Sequence, residues 1–172
     1  MKTIIFIFIL ILTICLMLTS CGEDNTQDLG QEQEFVFEFE AVDIFGNSVN
    51  QDTIGEKDIY FIYLWATWCP PCVRSMPDMA EIVDRHGDRV GFVGLLLDYD
   101  SNVSGAVNIV TSAGVPEEFV MINAEESSVR ELYDAVRTGF VPASIVMTAD
   151  GKFLPISAPY GSGLDKILQE LS

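Results

Sequence analysis

Basic residues are scarce in this chain of 172: nine Lys and Arg stand against 26 Asp and Glu, a formal net charge of −17. A polymer this acidic repels phosphates, which excludes nucleic acid as a partner. Histidine is nearly missing, with His86 alone, and there are only four Cys. A centre built from several imidazole and thiolate ligands is therefore ruled out, and neither a metal nor any other cofactor is expected. So few Cys also exclude a disulfide-rich scaffold. What the chain does have is 49% hydrophobic residues, enough for a packed core. Its length suits one domain with an additional segment.

That segment stands at the start. Met1–Ser20 (MKTIIFIFILILTICLMLTS) has one Lys, an apolar run from Ile4 to Leu18, and small polar residues at its end. The run is short for a bilayer span and no basic stop follows it, so it reads as a secretory signal over residues 1–20. The junction Leu18-Thr19-Ser20-Cys21-Gly22 resembles the bacterial lipobox, in which cleavage exposes a Cys for lipidation. The competing reading is an ordinary signal peptide ending beside an unrelated Cys. Several acyl chains on Cys21 would hold the protein on a membrane, where one chain holds only marginally. Residues 21–34 are acidic, Gln-rich and without apolar periodicity, which predicts a solvated tether. The expected location is a bacterial cell envelope, facing the periplasm or the outside. Residues 35–172 remain for the folded domain.

Cys15 falls in the discarded run and Cys21 is the lipidation site, so the domain keeps only Cys69 and Cys72. A single C-x-x-C pair in an exported protein is a small staple or a redox couple. A four-residue loop constrains the unfolded chain little, which favours the redox couple.

Around that pair, strand and helix patterns alternate. Phe35, Phe37 and Phe39 have the period of two of a half-buried strand, and Phe45–Ser48 reads as a turn into a second strand. Asp58–Ala66 and Arg89–Asp98 are continuous apolar runs suited to strands covered on both faces. A helix is expected from Pro70 to about His86, with Val73, Met76, Ala80 and Val83 inward, a kink at Pro77 and a stop at Gly87. Val103, Ala106, Val107 and Val110 mark the next helix, ended by Gly114 and Pro116. Phe119–Ile122 follows as a strand. Ser128 with Glu131 has the spacing of a capping box, ahead of an inward stripe of Val129, Leu132, Tyr133 and Val136. Ala143–Thr148 and Lys152–Ile156 form a hairpin about Gly151, and Leu164, Ile167, Leu168 and Leu171 a final amphipathic helix. The class is α/β, with a mixed central sheet flanked by helices.

The pair lies in Trp65-Ala66-Thr67-Trp68-Cys69-Pro70-Pro71-Cys72, where a buried strand hands over to a helix. Cys69 at the helix N-cap would meet unpaired N–H groups and the positive end of the dipole, which favour a thiolate. Pro70 and Pro71 suit the first turn and carry no N–H, leaving that of Cys72 for the Cys69 sulfur. Cys72, one turn on, would be the buried resolving thiol that attacks a mixed disulfide on Cys69.

The string W-A-T-W-C-P-P-C, with Pro77 five residues on and a later Val141-Pro142, resembles the thioredoxin-fold TlpA/ResA group of membrane-anchored thiol-disulfide oxidoreductases. The likeness covers most of residues 35–171. It implies a thioredoxin-like fold with an N-terminal β-hairpin and a strand–helix insertion near residues 89–122. It also implies a cis Pro142 opposite Cys69, Val141 presenting its backbone to a substrate strand, and a membrane electron donor. Trp68, Pro70, Pro71, Val141 and Pro142 would then border the substrate groove, and the partners would be thiols and disulfides of exported proteins.

Two positions depart from the pattern. The group usually has Glu three residues after the second Cys, where this chain has Ser75; thioredoxins have a buried Asp six residues before the first Cys, where it has Tyr63. Both carboxylates help move protons at the buried thiol, so no local general base for Cys72 is evident.

Other residues have plainer readings. His86 would cap a helix end. Asp98–Asn102 resembles the start of a calcium loop, but Val103 and Ile109 occupy its Gly and Glu positions, leaving a turn and helix cap. Trp65 belongs to the core and Trp68 to the docking surface. Peroxide reduction fits poorly, since Thr67 lies two residues before Cys69 and the adjacent Cys72 suits exchange. The expected function is thiol-disulfide exchange with exported proteins, in the reducing direction. The alternative is a lipoprotein that keeps the fold and uses its groove only to bind peptides.

Overall fold

The computed structural model describes residues 38–98, 103–126, 128–156 and 161–171. The expected signal and tether (residues 1–34), Phe35, Phe37 and residues 99–102 lie outside these. No helix among the described residues is long and apolar enough to cross a membrane.

The elements are β1 (Glu40–Val42), β2 (Ser48–Asn50), α1 (Gln51–Ile54), β3 (Ile59–Trp65), α2 (Pro70–His86), β4 (Val90–Leu96), α3 (Val103–Ser112), β5 (Phe119–Asn123), α4 (Arg130–Val136), β6 (Ala143–Thr148), β7 (Phe153–Pro155) and α5 (Gly161–Leu171). A five-stranded sheet runs β5-β4-β3-β6-β7. β3, β4 and β5 are parallel, whereas β6 is antiparallel to β3 and β7 to β6. β1 and β2 pair separately, joined by a turn in which Asp43 Oδ1 accepts from the amides of Phe45 and Asn47. Gly46 takes φ +90° in that turn, a region closed to most side chains.

The period of two in β3 divides the core. Phe61, Tyr63 and Trp65 point to the face carrying α2, α3 and α5, where they pack with Met76, Met79 and Leu164. Ile62 and Leu64 point to the opposite face, among Val93, Leu95, Leu132 and Val136. β3 is thus covered on both sides, as its uninterrupted apolar run predicts, and burying each such large side chain is worth about 1.5–3 kcal/mol. This is the thioredoxin-like arrangement, with the strand pair at the amino end and the strand–helix insertion between β3 and β6.

Details differ from expectation. α2 spans Pro70–His86 as expected, but its inward face is Cys72, Ser75, Met76, Met79, Ile82, Val83 and His86, with Val73 and Ala80 only half-buried. His86 does not cap the helix: its ring turns inward and meets Asp165 of α5 at 2.8 Å. The carbonyls just past this helix end are met by Lys57, whose Nζ donates to those of Gly87 (2.7 Å) and Asp88 (3.2 Å). The capping box at Ser128 is not formed, since the N-cap of α4 is Val129 with no side-chain bond. Leu171 lies exposed, so Leu164 and Leu168 carry the packing of α5.

Candidate active site

β3 ends at Trp65, and a three-residue loop delivers Cys69 to the start of α2. The Cys69 amide donates to Ala66 O at 3.2 Å and its carbonyl accepts from Val73 N at 3.1 Å, so the residue closes the loop and opens the helix. Cys69 is the N-cap in extended backbone, with prolines in the two positions that follow. Their missing N–H groups leave the Cys72 amide to donate to Cys69 Sγ, at 3.3 Å. The two sulfurs are bonded, at an S–S distance of 2.04 Å and a Cα–Cα distance of 5.3 Å. Their burial is unequal: Cys69 is 4% exposed and Cys72 fully buried.

The loop ahead of Cys69 is held by a residue that the sequence pattern left in a turn. Asp98 is buried directly after β4, where its Oδ1 accepts from Thr67 N at 2.8 Å and its Oδ2 from the Thr67 hydroxyl. The signal was present: β3 and β4 are parallel neighbours, so a carboxylate just past the second stands beside the loop that leaves the first.

Behind Cys72, Tyr63 and Ser75 are in contact. The phenol oxygen is 2.8 Å from Ser75 Oγ, and Ser75 donates to Cys72 O, also at 2.8 Å. All three side chains are buried.

Beside the loop a cleft of about 740 Å³ opens between the sheet end and α4, with Trp68, Leu97, Tyr133, Arg137, Phe140 and Val141 among its walls. Trp68 and Phe140 are 65% and 68% exposed. The Val141–Pro142 bond is cis. Of the residues expected to border a groove, Trp68 and Val141 line this cleft; Pro70, Pro71 and Pro142 do not. Tyr133, read as part of an inward stripe, is half-buried and also lines it, as do Arg137 and Phe140, which no sequence pattern marks. Arg130 and Arg137, 3.5 Å from opposite oxygens of Asp134, bring two guanidinium groups to the rim of an otherwise acidic chain. Among the described residues, no cluster of His, Cys, Asp and Glu is arranged to hold a metal ion.

Sequence comparison agrees with this geometry. The family model described as Redoxin matches residues 33–153. A thioredoxin from Mycolicibacterium smegmatis is 29% identical over 106 residues, 56% of this chain and 95% of that protein. The thiol-disulfide oxidoreductase ResA of Bacillus thuringiensis (strain Al Hakam) is 25% identical over 66% of this chain, and the match spans only 62% of ResA. The crystal structure of a thioredoxin-family thiol:disulfide interchange protein from Chlorobium tepidum TLS superimposes with a TM-score of 0.64 at 24% identity, covering 78% of this chain and 94% of that one. With a strand-to-helix dithiol in this fold and a family match across most of its length, the chain belongs to the redoxin family, as a thioredoxin-like thiol-disulfide oxidoreductase.

Proposed function

We propose that the protein reduces disulfides of exported proteins at a bacterial cell envelope, held there by lipid on Cys21. The observation that carries the exchange reading is the asymmetry of the pair: both sulfurs sit at the start of α2, and only Cys69 retains any exposure. An incoming sulfur therefore meets Cys69. In the reduced state the helix terminus and the Cys72 amide favour a thiolate on Cys69. That thiolate attacks a substrate disulfide, forming a mixed disulfide and expelling one substrate thiolate, which takes a proton. Cys72, deprotonated, then attacks Cys69 Sγ, breaks the mixed bond and releases the second substrate thiol. The substrate gains two electrons and two protons, and the Cys69–Cys72 disulfide is restored. A donor at the membrane must return the electrons.

The exposed indole of Trp68, with Val141 and Phe140, offers an apolar wall on which an extended substrate segment would lie. Membrane attachment rests on the apolar run and the Leu18–Cys21 junction, and the reducing direction on the likeness to the TlpA/ResA group.

The test is insulin reduction by the dithiothreitol-reduced protein. Cys69→Ser should fall to background, and Cys72→Ser should stall as a trapped mixed disulfide. Cys21→Ser should leave the membrane fraction with exchange unchanged. No insulin reduction by the parent protein above the background of Cys69→Ser would sink the exchange reading in favour of a peptide-binding module.

A further inference from the structure

Tyr63, which departs from the pattern of thioredoxins, and Ser75, which departs from that of the TlpA/ResA group, lie 12 residues apart in sequence and meet inside the protein. Tyr63 reaches from β3 and Ser75 from the second turn of α2, and both are buried. Ser75 has one proton, which goes to Cys72 O, so the proton between the two hydroxyls is the phenol's. The chain runs Tyr63 O–H to Ser75 O–H to Cys72 C=O, entirely uncharged. Buried hydrogen bonds arranged head to tail strengthen one another. At its other side, the Cys72 amide donates to Cys69 Sγ. The resolving residue is thus held by both of its backbone polar groups, one fastened to the nucleophile and the other to the central strand.

We infer that the Tyr63–Ser75 hydroxyl pair is a positioning device for Cys72, holding the resolving residue from behind so that its thiolate is aligned on the Cys69 mixed disulfide. The inference rests on the proposed exchange reaction. It assigns the pair no proton transfer: Cys72 loses its proton to solvent, its sulfur bonds to Cys69, and the electron pair of the broken bond leaves with the other thiol. The contribution is geometric, since misplacement of a reacting atom lowers the rate of the step it performs. It falls on the second step alone, because neither hydroxyl is bonded to Cys69.

The reaction of the reduced protein with 5,5′-dithiobis(2-nitrobenzoate) separates the two steps. Attack by Cys69 releases one equivalent of coloured thiol, and attack by Cys72 on the resulting adduct releases the second. Tyr63→Phe removes one oxygen at constant shape, and Ser75→Ala breaks the chain at its middle. Each should slow the second phase about three- to tenfold, the equivalent of one lost hydrogen bond, and leave the first unchanged. The double variant should be no slower than the slower single one, because both belong to one chain of bonds. Ser75→Thr, which keeps a hydroxyl, should restore most of the second phase. A second phase at the parent rate in both single variants would overturn the inference, as would equal slowing of both phases, the mark of general loosening. Absence of any first phase in the parent protein would instead remove the exchange reaction beneath it.

Discussion

Thr67 stands two residues ahead of Cys69, and its amide and hydroxyl both donate to the carboxylate of Asp98. A carboxylate is costly to bury, and donors aimed at it offset part of that cost. The reverse also holds: without the carboxylate, Thr67 would lose both of these hydrogen bonds. Hydrogen bonds to charged groups are worth about 1.5–3 kcal/mol, and losing the two to Asp98 should lower stability in Asp98→Ala by about 3 kcal/mol. Asp98→Asn retains an acceptor for the amide and should lose about 1 kcal/mol. Urea denaturation of the oxidised proteins measures both, and equal midpoints for Asp98→Ala and the parent would show that the contact holds nothing. The loop from Ala66 to Cys69 carries the exposed Trp68, so the same variant should also weaken the alignment of the wall proposed to receive substrate.

β4 reads VGFVGLL, and every residue of it is buried. Its glycines are spaces that neighbours fill. A Cβ at Gly91 would lie 2.6 Å from both Ile54 Cγ2 and Tyr60 Cδ1, and Tyr60 is its direct partner across β3. The Tyr60 ring is not free to swing, because its hydroxyl donates to Gly55 O at 3.2 Å and accepts from Lys57 N at 3.3 Å. Gly91→Ala should therefore cost about 1–3 kcal/mol by overpacking, seen as a lower denaturant midpoint at unchanged slope. An unchanged midpoint would mean that Ile54 and Tyr60 can move aside. Elements of this kind were legible in the sequence because length and period suffice to find them: α2 runs from Pro70 to His86 in both readings, and β3 and β4 fall inside their apolar runs. The inward face of α2 was legible only in part, at Met76 and Val83. Apolarity points to Val73 and Ala80, whereas the structure buries Ser75 and His86, which meet Tyr63 and Asp165 from other elements. A polar residue can turn inward when a distant part of the chain supplies its partner, and a local pattern does not contain that partner. The site divides in the same way. Cys69 and Cys72 stand out by spacing, and Asp98 and the Tyr63–Ser75 contact emerge only when strands are set side by side.

At the scale of the whole molecule, the C-terminal helix α5 closes one face of the sheet, resting on α2 through Leu164 and Leu168. The polar part of that contact is Asp165, whose Oδ1 lies 2.8 Å from His86 Nε2 and 3.0 Å from Arg85 Nε, joining positions 79 and 80 residues apart. The hydrogen bond from His86 first, and that from Arg85 second, hold the Asp165 carboxyl below its usual value of 3.8. A carboxyl group depressed in the folded state binds its proton more readily when the chain is unfolded. The link therefore stabilises fully above the ordinary carboxylate range, and the contribution disappears as pH falls from about 3.8 through the lower folded value. Asp165→Asn should be the less stable protein at pH 7. Its deficit relative to the parent should shrink as the two are compared at successively lower pH below that range. Urea titrations of both proteins from pH 7 downward test this directly. Arg85 is solvated, so its share should weaken in high salt, whereas the bond to the buried His86 ring should persist. Parallel stability curves down to the lowest pH at which both proteins fold would mean that α5 is held by its two leucines alone.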